Sequence, residues 1–156
     1  MSKMNPPFSE LPQAKTAETA MTARTQRSPN ALRVLVVEDE AMIAMLLAEV
    51  LTELGHTVCA TEATEAGAVA AAARHQPDLM LVDDELRVGS GIAAVEQITR
   101  SGIIPHVFVT GDSLLGRSLS PGTVVIQKPF TIPELVWGIK RALTVGEMRR
   151  ADPQDS

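Results

Sequence analysis

Four short stretches of this chain carry the side chains that phosphoryl chemistry uses: Glu38-Asp39-Glu40, Asp83-Asp84-Glu85, Thr110-Gly111-Asp112 and Lys128-Pro129. Carboxylates brought to one point repel each other unless a cation sits among them, and an all-oxygen cluster with room for water suits Mg²⁺ rather than zinc. Glu38, Asp39 and Asp83 form that candidate cluster. The hydroxyl of Thr110 and the ammonium of Lys128 are groups able to hold the oxygens of a phosphoryl group in transfer. Together they describe a carboxylate that can become an acyl phosphate. Each piece taken singly has a plainer reading. An acidic pair can open a helix, where the macrodipole favours negative charge. An Asp at a strand end is commonly a turn or cap residue, and Lys-Pro a strand exit. Their shared position argues for the chemical reading, because each stretch comes just after a different apolar run.

Those runs are short and rich in β-branched residues: Val34-Leu35-Val36-Val37, Leu79-Met80-Leu81-Val82, Val107-Phe108-Val109 and Val124-Val125-Ile126. They read as strands buried on both faces. Thr57 to Ala60 reads as a further strand. Between the strands lie helical patterns. Ile43, Leu46, Leu47, Val50, Leu51 and Leu54 recur at three- and four-residue spacing and stop at Gly55, a C′ residue; Met42 and Met45 belong to the same helix and are expected to pack. An Ala-rich helix is expected from Glu62 to about His75, closed by Pro77, and another from about Ile92 to Arg100, closed by Gly102. The last opens at Thr131-Ile132-Pro133-Glu134, a capping box, with Ile132, Leu135, Val136, Ile139 and Leu143 as its buried stripe. Trp137 in this helix reads as core or dimer packing. Parallel strands need long crossovers, and right-handed ones place helices on both faces, so the fold class is α/β with a doubly wound, five-stranded parallel sheet. A site is then expected at the carboxyl ends of the strands, where the chemical residues fall.

Composition narrows the partners. The chain has 156 residues, 45% of them hydrophobic and 21% charged, which suits one globular domain with tails. A net charge of -5 gives no footing for intrinsic DNA binding, which needs clustered Lys and Arg. Cys59 is the single cysteine, so no disulfide or thiolate metal site is expected and a cytoplasmic location fits. No apolar run approaches the roughly 20 residues that span a bilayer, so no membrane association is expected. His56, His75 and His106 lack ligand spacing and read as structural or solvent-facing. Residues 1–30 are rich in Pro, Ser, Thr and Ala without period and read as a disordered tail; the domain is expected over 31–145, and 146–156 as a flexible tail.

From Leu32 to Val145 the sequence resembles the receiver domains of two-component response regulators. The likeness is carried by Val-Leu-Val-Val-Glu38-Asp39-Glu40, Pro77-Asp78-Leu-Met-Leu-Val-Asp83, Phe108-Val109-Thr110-Gly111 and Lys128-Pro129-Phe130, in that order. It implies a flavodoxin-like strand order of 2-1-3-4-5. It also implies that Asp83 is the phosphoacceptor, that Asp39, Asp83 and the main-chain oxygen of Glu85 hold Mg²⁺ with Glu38 acting through water, and that Thr110 and Lys128 hold phosphoryl oxygens. The implied partners are a histidine kinase or histidine phosphotransfer protein and an effector protein, with a homodimer left open. The chain would act as a signalling receiver that catalyses only its own phosphorylation and dephosphorylation, not as an enzyme on other substrates. The family usually has a cis peptide where this chain has Lys128-Pro129. Phe108-Val109-Thr110-Gly111, preceded by Pro105, looks similar to a subgroup of stand-alone receivers with a Phe-Ala-Thr-Gly motif and a reduced helix between the fourth and fifth strands.

The chain departs from the family at a few points. Val125 stands three residues before Lys128, where members usually carry Tyr, Phe or His, so an aromatic relay has no ring to move. The stretch from Thr110 to Lys128 is short and contains Gly111, Gly116, Pro121 and Gly122, so the fourth of the five helices usual in the family is expected to be short or absent. Glu85 and Asp112 fall where the family tunes hydrolysis of the acyl phosphate. The segment after Val145 is too short for an output domain, so output is expected through binding another protein. Two rivals remain open. A degenerate receiver would bind partners without phosphorylation. A haloacid-dehalogenase-type phosphatase would also form an aspartyl phosphate, but it wants Asp-x-Asp after the first strand, whereas Asp83-Asp84-Glu85 comes after the third.

Overall fold

In the computed structural model residues 31–111, 119 and 122–151 are described. The chain divides into two units at Ala31/Leu32, and every element below lies in the second. The described elements are β1 (Arg33–Val37), α1 (Ala41–Glu53), β2 (Thr57–Glu62), α2 (Glu65–His75), β3 (Leu79–Asp83), α3 (Gly91–Thr99), β4 (His106–Thr110), β5 (Val124–Gln127) and α4 (Ile132–Ala151). All strands pair in parallel in the order β2-β1-β3-β4-β5, which is the doubly wound arrangement expected.

Alternate residues of each strand face opposite layers, and the two layers are built differently. Val34, Val36, Leu79, Leu81, Val107, Val109, Val124 and Ile126 pack against Leu47 and Leu51 of α1 and Leu135, Ile139 and Ala142 of α4. Leu35, Val37, Met80, Val82 and Phe108 pack against Ala68, Ala71 and Ala72 of α2 and Ala94, Val95 and Ile98 of α3. The small side chains let α2 sit close to the sheet. Burying each Leu or Val of these layers contributes about 1.5–3 kcal/mol.

Local signals end the elements where the sequence says they should. Gly55, at φ +95°, closes α1; its N–H donates to Thr52 O at 3.0 Å and that of His56 to Leu51 O at 2.9 Å, a Schellman pair. The capping box of α4 forms: Glu134 N donates to Thr131 Oγ1 at 3.2 Å, and Thr131 N to Glu134 Oε1 at 3.1 Å. Ser90 caps α3 by accepting from Ala93 N at 2.9 Å.

Several expectations give way. The second helix starts at Glu65 rather than Glu62, capped by Thr64, because pairing with β1 carries β2 on to Val37↔Glu62 and the ladder outcompetes helix there. The C-terminal segment does not turn flexible at Gly146: α4 continues to Ala151, and buried Gly146 lies where an added Cβ would come within 2.8 Å of the Pro105 ring. Met42, Met45 and Leu46 do not pack. They are 83%, 64% and 59% exposed, because Ala44, Leu47 and Leu51 already face the sheet. Ile132 and Trp137 are likewise exposed, so Trp137 is no core residue; with Val125 and Pro133 it borders a shallow groove. Residues 113–118, 120 and 121, in the stretch expected to hold little or no helix, lie outside the described residues, as do Asp112 and the segments 1–30 and 152–156. Among the described residues no helix is long and apolar enough to cross a membrane.

Candidate functional site

The sheet topology brings the chemical residues together. β1 and β4 flank β3, and β5 pairs with β4, so the ends of these strands open on one edge. Asp83 closes β3 and is 8% exposed; Glu38, just past β1, is 3% exposed; Thr110, the last residue of β4, is fully buried. Glu38, Asp39 and Asp83 each offer a carboxylate oxygen, and these atoms lie within 4.8 Å of one another. The site is held from β5 by Lys128, whose main-chain N–H donates to Thr110 O at 2.7 Å and extends the β4–β5 pairing past Gln127. The Lys128–Pro129 peptide is cis, as expected.

Lys128 Nζ donates to Glu38 Oε1 at 3.0 Å and to Asp83 Oδ2 at 3.2 Å. The other oxygens are also engaged. Asp83 Oδ1 accepts from Glu85 N at 2.9 Å, Glu38 Oε2 from Glu40 N at 3.0 Å, and Asp39 Oδ2 from Arg87 N at 2.8 Å. These backbone donors fix the three carboxylates without neutralising them.

The electrostatics are those of a site short of positive charge. Burial raises the pKa of Glu38, and the neighbouring Asp83 charge adds to the rise, while the Glu40 N–H and Lys128 oppose it. For Lys128 burial pulls downward, but the hydrogen bonds and charges of Glu38 and Asp83 outweigh it and hold the ammonium above its ordinary pKa. Of the three crowded carboxylates, Glu38 and Asp83 share the one partly buried ammonium of Lys128. An all-oxygen donor set with excess negative charge fits a hard divalent cation such as Mg²⁺.

The sequence-derived residues Glu38, Asp39, Asp83, Thr110 and Lys128 all sit at this edge, and Glu85 comes after Asp83 on the loop beside it. Two neighbours were not legible beforehand. Asp84 is 4% exposed, although a second Asp after a strand reads as a turn residue. Arg87 places its N–H on Asp39 and its guanidinium Nε at 3.8 Å from the same oxygen, a contact across 48 positions that no local pattern announces. Val125, in place of the family's aromatic, is half-buried on β5. His56 is a structural residue: its Nδ1 accepts from Leu32 N at 3.1 Å, and burial holds its pKa low.

Residues 34–140 match the response regulator receiver domain family. The transcriptional regulatory protein PdtaR of Mycobacterium tuberculosis is 36% identical over 116 residues, covering 72% of this chain and 57% of that protein. The phyllosphere-induced regulator PhyR of Methylorubrum extorquens is 34% identical over 118 residues, covering 72% of this chain and 44% of that protein. The chain thus spans about half the length of these curated relatives. Among solved structures, the receiver domain of Erythrobacter litoralis PhyR superposes with a TM-score of 0.66 at 36% identity, over 73% of this chain and 91% of that one.

Proposed function

This chain belongs to the response regulator receiver domain family, and from that premise we propose that it is a phosphoacceptor in a two-component phosphorelay, with Asp83 taking the phosphoryl group from a phosphohistidine of a partner protein. The observation that carries the reading is the convergence of Glu38, Asp39 and Asp83 within 4.8 Å, with the Lys128 ammonium 3.2 Å from Asp83. Burying like charges so closely costs stability and contributes nothing to packing, so their cluster supports a chemical role.

Asp83 Oδ1 is held by Glu85 N and Oδ2 by Lys128, which fixes the carboxylate for in-line attack. One of its oxygens forms the new P–O bond as the P–N bond of the donor breaks, and the electron pair leaves on the imidazole. The Lys128 ammonium moves its interaction from the Asp83 carboxylate to a phosphoryl oxygen, and the Thr110 hydroxyl offers a further donor. Asp39, Asp83 and the Glu85 main-chain oxygen would hold Mg²⁺, with Glu38 acting through water. When bound, the ion neutralises phosphoryl oxygens during transfer.

The added charge of about -1.5 to -2 then draws on Thr110 and biases a two-state surface. Val125 on β5 offers no aromatic ring to follow the Thr110 hydroxyl. Met42, Met45 and Leu46, exposed on the helix that starts just after Asp39, support docking of the donor protein beside the site. Output passes to an effector protein in the cytoplasm.

The test is phosphorylation of the purified chain by acetyl phosphate, followed by intact mass. A gain of one phosphoryl group that requires Mg²⁺ and is lost in Asp83→Asn supports the reading. No gain under conditions that label another receiver would overturn it in favour of a phosphorylation-independent binding module.

A further inference from the structure

The loop from β3 to α3, residues 84–90, is tied on two sides, and the outer tie is made by a side chain that takes no part in the proposed chemistry. Inward, Glu85 N and Arg87 N donate to Asp83 and Asp39 at 2.9 and 2.8 Å. Outward, the loop meets Glu65, the first residue of α2. The Glu65 N–H donates to Val88 O at 3.2 Å, and Glu65 Oε1 accepts from Ser90 N at 3.0 Å. Thr64 and Val88 form an isolated parallel bridge at the same place. Gly89 lies between these contacts at φ +85°, and a Cβ on it would come within 2.4 Å of the Glu65 Cβ. Only glycine fits there, both for its backbone angle and for the closeness of the helix.

Ser90 is where the tie is passed on. Its N–H goes to Glu65, its Oγ caps α3 through Ala93 N at 2.9 Å, and its backbone forms an isolated antiparallel bridge with Glu85. Glu85 in turn holds Asp83 Oδ1 and carries the main-chain oxygen proposed as a metal ligand. From a carboxylate on α2 a hydrogen bond fixes Ser90; the Ser90–Glu85 bridge, closed by Gly91 N donating to Asp84 O at 3.0 Å, then sets the segment from which Glu85 N reaches the acceptor.

We propose that Glu65 is a positioning residue for the metal site: its Oε1 fixes Ser90, and through the Ser90–Glu85 pairing it fixes the loop segment that supplies a main-chain ligand. The inference rests on the reading that Mg²⁺ binds at Glu38, Asp39 and Asp83. Glu65 also has a purely structural use, since an acid in the first turn of α2 interacts favourably with the helix dipole. The two roles need different things: the dipole needs the charge, and the tie needs an acceptor at the right reach. Glu65→Gln keeps the acceptor and loses the charge, Glu65→Ala loses both, and Glu65→Asp keeps the charge but withdraws the acceptor by one methylene.

The experiment is calorimetric titration of the full chain with Mg²⁺ for wild type and these variants, with urea midpoints and amide exchange at Ser90 measured alongside. Outer partners of metal ligands are worth about tenfold or more in affinity. Glu65→Ala and Glu65→Asp should therefore weaken Mg²⁺ binding by about tenfold and speed exchange at Ser90, while Glu65→Gln stays within about twofold of wild type. Wild-type affinity in Glu65→Ala would overturn the proposal, as would equal weakening by Ala and Gln. If Glu65→Ala does not fold, Glu65→Asp decides alone, and unchanged affinity in it overturns the proposal. A wild type that binds no Mg²⁺ would remove the metal reading and this inference together, a failure distinct from one in which only the variants behave alike.

Discussion

Along β3 the chain changes character within one residue. Leu79 to Val82 are buried between two helical layers, and Asp83, nearly as buried, faces charges instead. The same break occurs on β1 between Val37 and Glu38. Strand interiors gain free energy from every apolar contact, whereas strand ends hold carboxylates whose burial is unfavourable and which must share the Lys128 ammonium. The interior therefore supports the ends: the stability of a well-packed five-stranded sheet is what allows Glu38, Asp39 and Asp83 to be held together. Interior and end should therefore differ in labelling: a change in the interior should cost stability and leave phosphorylation near wild type, whereas a change at the ends should slow phosphorylation.

The largest expected effect is at Lys128. Lys128→Ala removes the cation from Glu38 and Asp83, so phosphorylation by acetyl phosphate should slow by about 100-fold or more. The uncompensated buried acids should also lower stability by about 1–3 kcal/mol in the absence of Mg²⁺, as read from urea midpoints. A variant that labels at the wild-type rate would break the distinction between interior and end.

Next comes an interior truncation. Leu81→Ala should cost about 2–5 kcal/mol of unfolding free energy, yet under conditions where it remains folded its rate of phosphorylation should stay close to wild type. Gly91→Ala probes the seam between the two regions: a Cβ there would come within 2.1 Å of Asp83 O, so both stability and labelling should fall. Loss of stability without loss of labelling would assign Gly91 to the interior alone.

The smallest effect is in pH dependence. The folded-state pKa of Glu38 is raised. Below the ordinary Glu value of 4.5 the group is protonated in both states and adds no cost. As pH rises through the raised folded value, its ionisation works against folding, so its contribution to stability falls. Without Mg²⁺, wild type should therefore lose stability relative to Glu38→Gln as pH rises from about 4.5 toward neutrality. A stability difference between the two that stays flat with pH would contradict the crowding argument. Added Mg²⁺ should shrink the pH-dependent part of that difference.

The sequence was most legible where a physical pattern was local. The apolar runs gave the five strands, Gly55 ended α1, and Thr131 with Glu134 opened α4. The site came from one non-local rule, that a parallel sheet gathers its strand ends. Periodicity could not tell which side of a helix faces the sheet when apolar residues surround it. In α1 both Leu46 and Leu47 fit the spacing, and only Leu47 is buried. Nor could the contacts of the loop from β3 to α3 be read. Arg87 reaches Asp39, and Ser90 reaches Glu65, across chain separations that periodicity does not see. The end of α4 is not legible in the sequence because polar residues after Val145 resemble a tail, whereas buried Gly146 lies close against Pro105.

The central claim is that Asp83, and no neighbouring acid, accepts the phosphoryl group. Buried Asp84 and the partners Glu38 and Asp39 make this a sharp question. The direct measurement is to phosphorylate wild type with acetyl phosphate and Mg²⁺, reduce the acyl phosphate with borohydride, and locate the resulting alcohol by peptide mass sequencing. The account predicts conversion of residue 83 to homoserine and of no other acid. Homoserine at position 84, or reduction at position 38 or 39, would contradict it.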